Sequence, residues 1–336
     1  MDDCGRRPKV EYKLLGKTGV RVSELCFGTM SFGGDADEKT SAALFNHCRE
    51  AGINFFDCAN VYAGGRSEEI LGKLIADCRS EVIVTSKGFG QMGTDINAKG
   101  SSRRNLHLAV EASLKRLNTD YLDVYFLHHF DNDVPLEQSL RALDDLVKAG
   151  KILYPAASNY AAWQISQALG ISAREGWAAF EVIQPMYNLV KRQAEVEILP
   201  MARFFNLGVI TYSPLGAGLL SGKYGKNRRP DSGRLTDNAM YQKRYSEGGY
   251  YDIAEGFTEF AREGGYDPAA LAVAWAAANP AVTAPIIGAR NLDQLKGSLS
   301  SIEIDMTDDL YARISALSPE PPLATDRLEE QRSGDK

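Results

Sequence analysis

Tyr121-Leu122-Asp123-Val124-Tyr125-Phe126-Leu127-His128 is the stretch on which the fold turns. Its centre is a near-continuous apolar run, too short for a helix and closed at each end by polar residues. A strand with one face in water alternates apolar and polar side chains, whereas a strand buried on both faces reads as an unbroken run. Residues 82–87 repeat the pattern upstream and 152–158 downstream. Further out, 23–30 and 54–59 precede them, and 180–188, 209–214 and 284–289 follow.

Helical signals fill the gaps between these runs. Ser67 opens an acidic first turn at Glu68-Glu69, after which Ile70, Leu71, Leu74 and Ile75 recur at helical spacing. Leu136, Leu140, Leu143, Leu146 and Val147 form a second stripe between Pro135 and Gly150. Asp267-Pro268 caps the alanine-rich stretch 269–278, with proline at the first helical position. Eight β-then-α units predict a single (β/α)8 TIM barrel over residues 12–318. A length of 336 residues also accommodates two domains. The doubly wound alternative, however, needs a G-x-G-x-x-G turn after the first strand, and Gly28-Thr29-Met30-Ser31-Phe32-Gly33-Gly34 does not supply it. Ahead of the first run, 12–15 and 20–22 flank Gly16-Lys17-Thr18-Gly19 as a β-hairpin, placed as a lid over the barrel bottom. The longest gap, 216–283, is read as a functional loop after the seventh strand. Residues 319–336 are read as a flexible tail.

Composition narrows the class of partner. Against 38 Lys+Arg stand 44 Asp+Glu, a net charge of −6, which argues against nucleic acid or an anionic membrane surface. Five cysteines (Cys4, Cys26, Cys48, Cys58, Cys78) lie in the first quarter with no C-x-x-C pair, a pattern of reduced thiols. With no secretory signal at the amino terminus and no long apolar stretch, a cytoplasmic protein is expected.

Barrel enzymes carry their chemistry at the carboxyl ends of the strands. Those positions hold Asp57, Lys87, His128, Ser158-Asn159, Gln184 and Tyr212-Ser213. Six coincident polar strand ends are poorly explained as core, because unpaired polar groups are costly to bury. Lys87 alone reads equally as a solvated rim residue or a Schiff-base lysine of the aldolase kind. Tyr62, five residues after Asp57, shifts the balance: a neighbouring ammonium lowers a phenol's pKa by favouring phenolate, Asp57 holds that ammonium, and His128 shares a hydrogen bond to a substrate oxygen. This set suits protonation of an alkoxide formed by hydride addition to a carbonyl.

From about Tyr12 to Leu317 the chain resembles the aldo-keto reductases. The markers are Leu14-Gly16-Thr18-Gly19-Val22-Ser23, Phe27-Gly28-Thr29-Met30, Asn54-Phe55-Phe56-Asp57 leading to Tyr62, and Thr85-Ser86-Lys87. Asp123-Val124-Tyr125 leading to His128, Ser158-Asn159, Gln184 with Tyr187-Asn188, Tyr212-Ser213-Pro214-Leu215 and Ile287-Gly288-Ala289-Arg290 complete them. Each is weak alone; in order they are specific. The resemblance implies a catalytic tetrad of Asp57, Tyr62, Lys87 and His128, with Tyr62 as general acid/base in reduction of aldehydes or ketones, or the reverse. It also implies an extended NADP(H), with NAD as the alternative. Ser158, Asn159 and Gln184 then meet the carboxamide and Tyr212 stacks on the nicotinamide. Residues 213–223, among them Ser213, Leu215, Gly218 and Lys223, wrap the pyrophosphate, Arg290 reaches the 2′-phosphate, and Gly288 is a further cofactor-binding residue. Gln294 and Ser298 stand on the adenine side. The other class of function within the resemblance is a nucleotide-binding regulatory module like the β subunits of potassium channels, with little turnover.

Phe32, Phe89 and His129, with Tyr241, Tyr245, Tyr250 and Tyr251, are candidates to line a pocket for a bulky or ring-containing substrate. Two patterns are set aside. Ser221-Gly222-Lys223-Tyr224 has the look of a P-loop, but Ala217 stands where its first glycine belongs and Tyr224 replaces Ser/Thr. His128 and His129, adjacent on a strand, point to opposite faces and do not chelate one metal; no metal site is expected. Against the family pattern, Cys58 replaces a hydroxyl residue, Ala63 a glycine and Ser298 an asparagine. Pro155-Ala156 stands where Leu-Gly is expected; a proline in a central strand removes a ladder hydrogen bond, so a local bulge shifting Ser158 and Asn159 is expected.

Overall fold

The computed structural model describes residues 10–246, 249–327 and 329. Eight parallel strands close into a barrel, in the order β10-β3-β4-β5-β6-β7-β8-β9. They are β3 (Cys26–Gly28), β4 (Phe55–Asp57), β5 (Ile83–Gly88), β6 (Leu122–Leu127), β7 (Ile152–Ser158), β8 (Val182–Gln184), β9 (Gly208–Thr211) and β10 (Ala284–Ile287). The preceding strands, β1 (Tyr12–Leu14) and β2 (Arg21–Ser23), form the expected antiparallel hairpin. Helices α1 (Glu38–Glu50), α2 (Arg66–Ile75), α3 (Arg103–Leu117), α4 (Leu136–Lys148), α5 (Ala162–Glu175) and α6 (Ile198–Phe204) follow successive strands from β3 to β8. The long segment after β9 holds α7 (Arg234–Asp237), α8 (Ala239–Arg244), α9 (Gly249–Glu263) and α10 (Pro268–Ala278). After β10 come α11 (Leu292–Leu299) and α12 (Asp308–Ser315).

The unbroken apolar runs have a simple cause: successive side chains serve two different cores. Val124 and Phe126 point into the barrel, where they pack with Cys26, Phe55, Ala156, Val182, Ile210 and Ala284. Tyr125 and Leu127 point outward into the layer shared with the helices. The hairpin closes the lower mouth, with Leu15 and Val22 fully buried in the inner cluster. Gly16 permits this seat: its φ is +56°, and a side chain there would meet the Gly208 amide nitrogen.

Pro155 causes no bulge. β7 runs unbroken, pairing Tyr125 with Pro155 and Ser158 with Gln184, and the Pro155 carbonyl accepts from Glu181 at 2.9 Å. The N–H that proline lacks would face the chain before Val182, where β8 has not begun, so no ladder bond is lost. Ser67 also departs from expectation. The residue at the cap of α2 is Gly65, and Ser67 sits inside the helix, donating to the Thr29 carbonyl at 2.7 Å.

Glu68, in the acidic first turn of α2, is fully buried and accepts from Ser86 Oγ at 2.5 Å and Arg116 Nε at 2.6 Å. Removing one partner of a buried pair strands the other charge. Arg116→Ala is therefore expected to lower unfolding free energy by about 3–5 kcal/mol, measured as a shift in urea midpoint at unchanged slope. Of the tail, residues 328 and 330–336 lie outside the described residues. No helix among the described residues is long and apolar enough to cross a membrane.

Candidate active site

The barrel interior changes from apolar to polar within two residues of most of the strand ends. Side chains two apart share a face of a strand, so on five strands the last inner core residue is followed, one step nearer the carboxyl end, by a polar group. Phe55 is followed by Asp57, Phe126 by His128, Ala156 by Ser158, Val182 by Gln184 and Ile210 by Tyr212. Thr85 and Lys87 extend the inward face of β5 in the same way. All converge on one end of the barrel, where a cavity of about 680 Å³ opens.

Asp57 is the anchor, and both its oxygens are engaged. Lys87 Nζ donates to Oδ2 at 2.6 Å, while Thr85 Oγ1 and Gln184 Nε2 donate to Oδ1 at 2.7 and 2.9 Å. Lys87 Nζ also donates to the Cys58 carbonyl at 2.6 Å and lies 5.2 Å from the centre of the Tyr62 ring. Burial pulls the Lys87 ammonium toward deprotonation, but Asp57 and Tyr62 outweigh it and hold its pKa above the ordinary lysine range. The ammonium is thus a fixed positive charge behind a half-buried phenol. The sequence-based expectation of a lowered Tyr62 pKa needs correction: burial pushes the phenol up to about 12, against the downward pull of Lys87. A phenol that keeps its proton is the form a general acid needs.

His128 meets Tyr62 edge-on, with ring centres 6.4 Å apart. Burial, reinforced by Lys87 and His129, holds its pKa down at about 3, so the ring is a neutral imidazole with one N–H to donate. His128 and His129 do not point to opposite faces. β6 ends at Leu127, so strand alternation no longer applies, and the two rings stack 5.1 Å apart and both line the cavity.

Asp57, Tyr62, His128, Ser158, Asn159, Gln184, Tyr212, Ser213, Leu215, Gly218, Lys223, Gly288, Arg290, Gln294 and Ser298 all border the cavity, with Lys87 buried behind them. Along one wall the side chains lock each other. Tyr212 OH donates to Asn159 Oδ1 at 2.7 Å, Asn159 Nδ2 donates to the His128 carbonyl at 2.9 Å, and Ser158 Oγ donates to the Gln184 carbonyl at 3.0 Å. At the other end, Gln294 Oε1 accepts from the Arg290 amide at 3.0 Å, and the Arg290 guanidinium lies 3.9 Å from Asp35. Of seven non-glycine residues with left-handed backbone among the described residues, Ala63, Asn159, Ser213 and Ala217 lie in or beside this site. Strain of that kind gathers where backbone must approach a ligand.

Three substrate-pocket expectations change. Phe32 is fully buried and turns inward onto Phe27, 5.8 Å between ring centres, so it belongs to the outer core. Phe89 does not line the cavity; it packs edge-on behind His129 at 5.4 Å. Of the four tyrosines only Tyr241 reaches the cavity. Tyr245 is buried beside Asn188, and Tyr251 lies beneath the Arg229 guanidinium. Sequence reasoning missed Met30, Val61, Tyr224, Arg234, Met240 and Arg244, which also line it. Most of them come from the long segment after β9, including the short helices α7 and α8, where no strand parity announces which side chain points inward.

Comparisons with known proteins agree with this geometry. The profile of the Aldo/keto reductase family matches residues 24–319. An uncharacterized oxidoreductase of Bacillus subtilis, YrpG, is 35% identical over 324 residues, covering 93% of this chain and 97% of that protein. A probable voltage-gated potassium channel subunit beta of Oryza sativa subsp. japonica is 36% identical over 326 residues, 94% of this chain and 99% of that protein. Versiconal hemiacetal acetate reductase of Aspergillus parasiticus is 31% identical over 334 residues, 89% of this chain and 94% of that protein. The chain belongs to the aldo/keto reductase family.

Proposed function

We propose that the protein is an NADP(H)-dependent oxidoreductase that reduces aldehydes or ketones to alcohols, or runs the reverse reaction. The observation that carries this reading is the convergence of a charge-locked Lys87, a protonated Tyr62 and a neutral His128 on one end of the cavity.

The cavity fits an extended dinucleotide. Amide and hydroxyl groups of Ser158, Asn159 and Gln184 stand next to the anchored Tyr212 ring, suited to a planar amide-bearing ring. The turns around 213–223 offer backbone and Lys223 toward a pyrophosphate, and Arg290 offers a fork of donors for a further phosphate. When bound, the nicotinamide supplies or takes up the hydride. In reduction, Tyr62 OH and the His128 N–H hold the carbonyl oxygen, and Tyr62 gives up its proton as negative charge builds there. Lys87 stabilises the phenolate left behind, and Asp57 keeps the ammonium in place. In oxidation the same proton returns to Tyr62.

A panel of aldehydes, ketones and alcohols with NADPH and NADH, followed by nicotinamide absorbance in both directions, tests the reading. Oxidation of NADPH that depends on the carbonyl substrate is expected. The potassium-channel relative favours a second reading, a nucleotide-binding regulatory module; tight NADPH binding with no turnover across the panel supports that one instead. The Arg290 assignment has its own consequence. A charge-assisted hydrogen bond contributes about 1.5–3 kcal/mol, so Arg290→Gln is expected to raise the NADPH Kd by about 10-fold or more. NADH binding, measured by the same fluorescence titration, is expected to stay unchanged.

A further inference from the structure

The charged groups lining the cavity do not balance. Of the three acids that line it, Asp57 is committed to Lys87, Thr85 and Gln184, Asp267 caps α10 by accepting from the Ala270 amide at 2.9 Å, and Asp293 stands in the first turn of α11, beside Gln294 and away from Tyr241 in sequence. On the cationic side, Lys223 and Arg290 are assigned above to phosphates, which leaves Arg234 and Arg244. Their guanidiniums flank the Tyr241 ring at 5.6 and 5.3 Å from its centre. Among the described residues, neither is within ion-pair distance of a carboxylate. The Arg244 side chain donates to a thioether, Met240 Sδ at 3.8 Å, a weak acceptor for a group with five N–H donors.

Arg244 also has a definite place in the cavity. Its charge is felt by His129, whose pKa burial and then Arg244 hold down, and by Tyr212. His129 stacks on His128, which in turn meets Tyr62. Met30, to whose sulfur Tyr241 OH donates at 3.9 Å, completes the wall. Arg244 is therefore a half-buried cation beside the reacting end of the cavity, held by aromatic and thioether contacts and facing the space a substrate occupies.

We propose that Arg244 is a specificity-determining residue that binds a carboxylate on the substrate, so that the preferred substrates are carbonyl compounds carrying a carboxylate away from the reacting carbon. The Arg244 guanidinium fork matches the two oxygens of one carboxylate, and Met30, Met240 and Tyr241 beside it offer apolar and aromatic surface to the carbon skeleton between the two groups. The inference rests on the carbonyl-reductase reading and narrows it. It also explains why a chain of net charge −6 keeps an uncompensated cation at this point.

The test compares 4-carboxybenzaldehyde with its methyl ester as substrates of the full-length protein with NADPH, in the wild type, Arg244→Gln and Arg244→Lys. The wild type is expected to favour the acid in kcat/KM by about 10-fold or more, the discrimination a charged hydrogen bond gives. Arg244→Gln is expected to raise KM for the acid by about 10-fold to 100-fold, leaving kcat/KM for the ester and the NADPH Kd within about twofold. Arg244→Lys, which keeps charge without the fork, is expected to recover part of the loss. Equal use of acid and ester by the wild type, equal losses on both in Arg244→Gln, or weakened NADPH binding in that variant would each overturn the proposal. Binding of 4-(hydroxymethyl)benzoate, measured by titration calorimetry without turnover, separates the two readings. Arg244-dependent binding with neither aldehyde reduced means that the reductase reading fails and the carboxylate site stands. Ester reduction with no preference for the acid means the reverse.

Discussion

Replacing Tyr62 with Phe is expected to lower kcat/KM for carbonyl reduction by about 10³-fold, within the range that a positioned general acid supplies. NADPH binding is expected to change by no more than about twofold. The hydroxyl is the only group removed, Tyr62 is half-buried, and its ring packs at the edge of the outer core, so the fold is expected to lose no more than about 1 kcal/mol. The loss should fall on kcat and kcat/KM alike, because the interaction removed is made as charge develops on the oxygen. Raising the pH does not restore the variant, since no neighbouring group supplies a transferable proton at that point: His128 is a neutral donor down to about pH 3, and Lys87 is tied to Asp57.

Lys87→Met is expected to have two separable effects. Chemically, it removes the positive charge that in the proposed mechanism stabilises the Tyr62 phenolate, and loss of one such preorganised group lowers kcat by about 10²–10³-fold. Structurally, it leaves the Asp57 carboxylate buried, with only Thr85 and Gln184 donating to it. Breaking a buried pair from one side lowers stability by about 3–5 kcal/mol. The double variant Asp57→Asn/Lys87→Met removes both charges, and an amide oxygen at position 57 still accepts from Thr85 and Gln184. It is expected to regain most of the lost unfolding free energy in urea and none of the activity. Stability and activity parting in this way would show that the ion pair serves catalysis beyond its structural role.

Much of the site was legible because the barrel imposes parity. Once 121–128 is read as a strand buried on both faces, the alternation of Val124 and Phe126 with Tyr125 and Leu127 follows, and on β4, β6, β7, β8 and β9 the polar residue two places beyond the last inner apolar one is carried to the same end of the barrel. That is why Asp57, His128, Ser158, Gln184 and Tyr212 were found from strand ends alone. Parity does not reach beyond the strands. His129 lies one residue past the strand, where the backbone turns and stacks it on His128. Phe32 sits in a loop whose direction no pattern gives, and it folds inward onto Phe27. Glu68 looks like a helix-start acid until the fold brings Arg116 from α3 and Ser86 from β5 to it. Pro155 looks disruptive until the late start of β8 shows that its missing donor had no partner. The raised Tyr62 pKa belongs to the same class, since the sign depends on how deeply the phenol is buried, a quantity that spacing does not carry.

The central claim is that Tyr62 delivers the proton to a carbonyl oxygen in a reduction for which NADPH would be the hydride source, and single-turnover mixing tests it most directly. Protein loaded with stoichiometric NADPH is mixed rapidly with excess aldehyde, and the reduced-nicotinamide absorbance is followed beside the same experiment on Tyr62→Phe. The account predicts a single exponential loss of absorbance with alcohol formed in equal amount, slowed about 10³-fold in the variant. No loss of absorbance in the wild type, or equal rates in the two proteins, would contradict it.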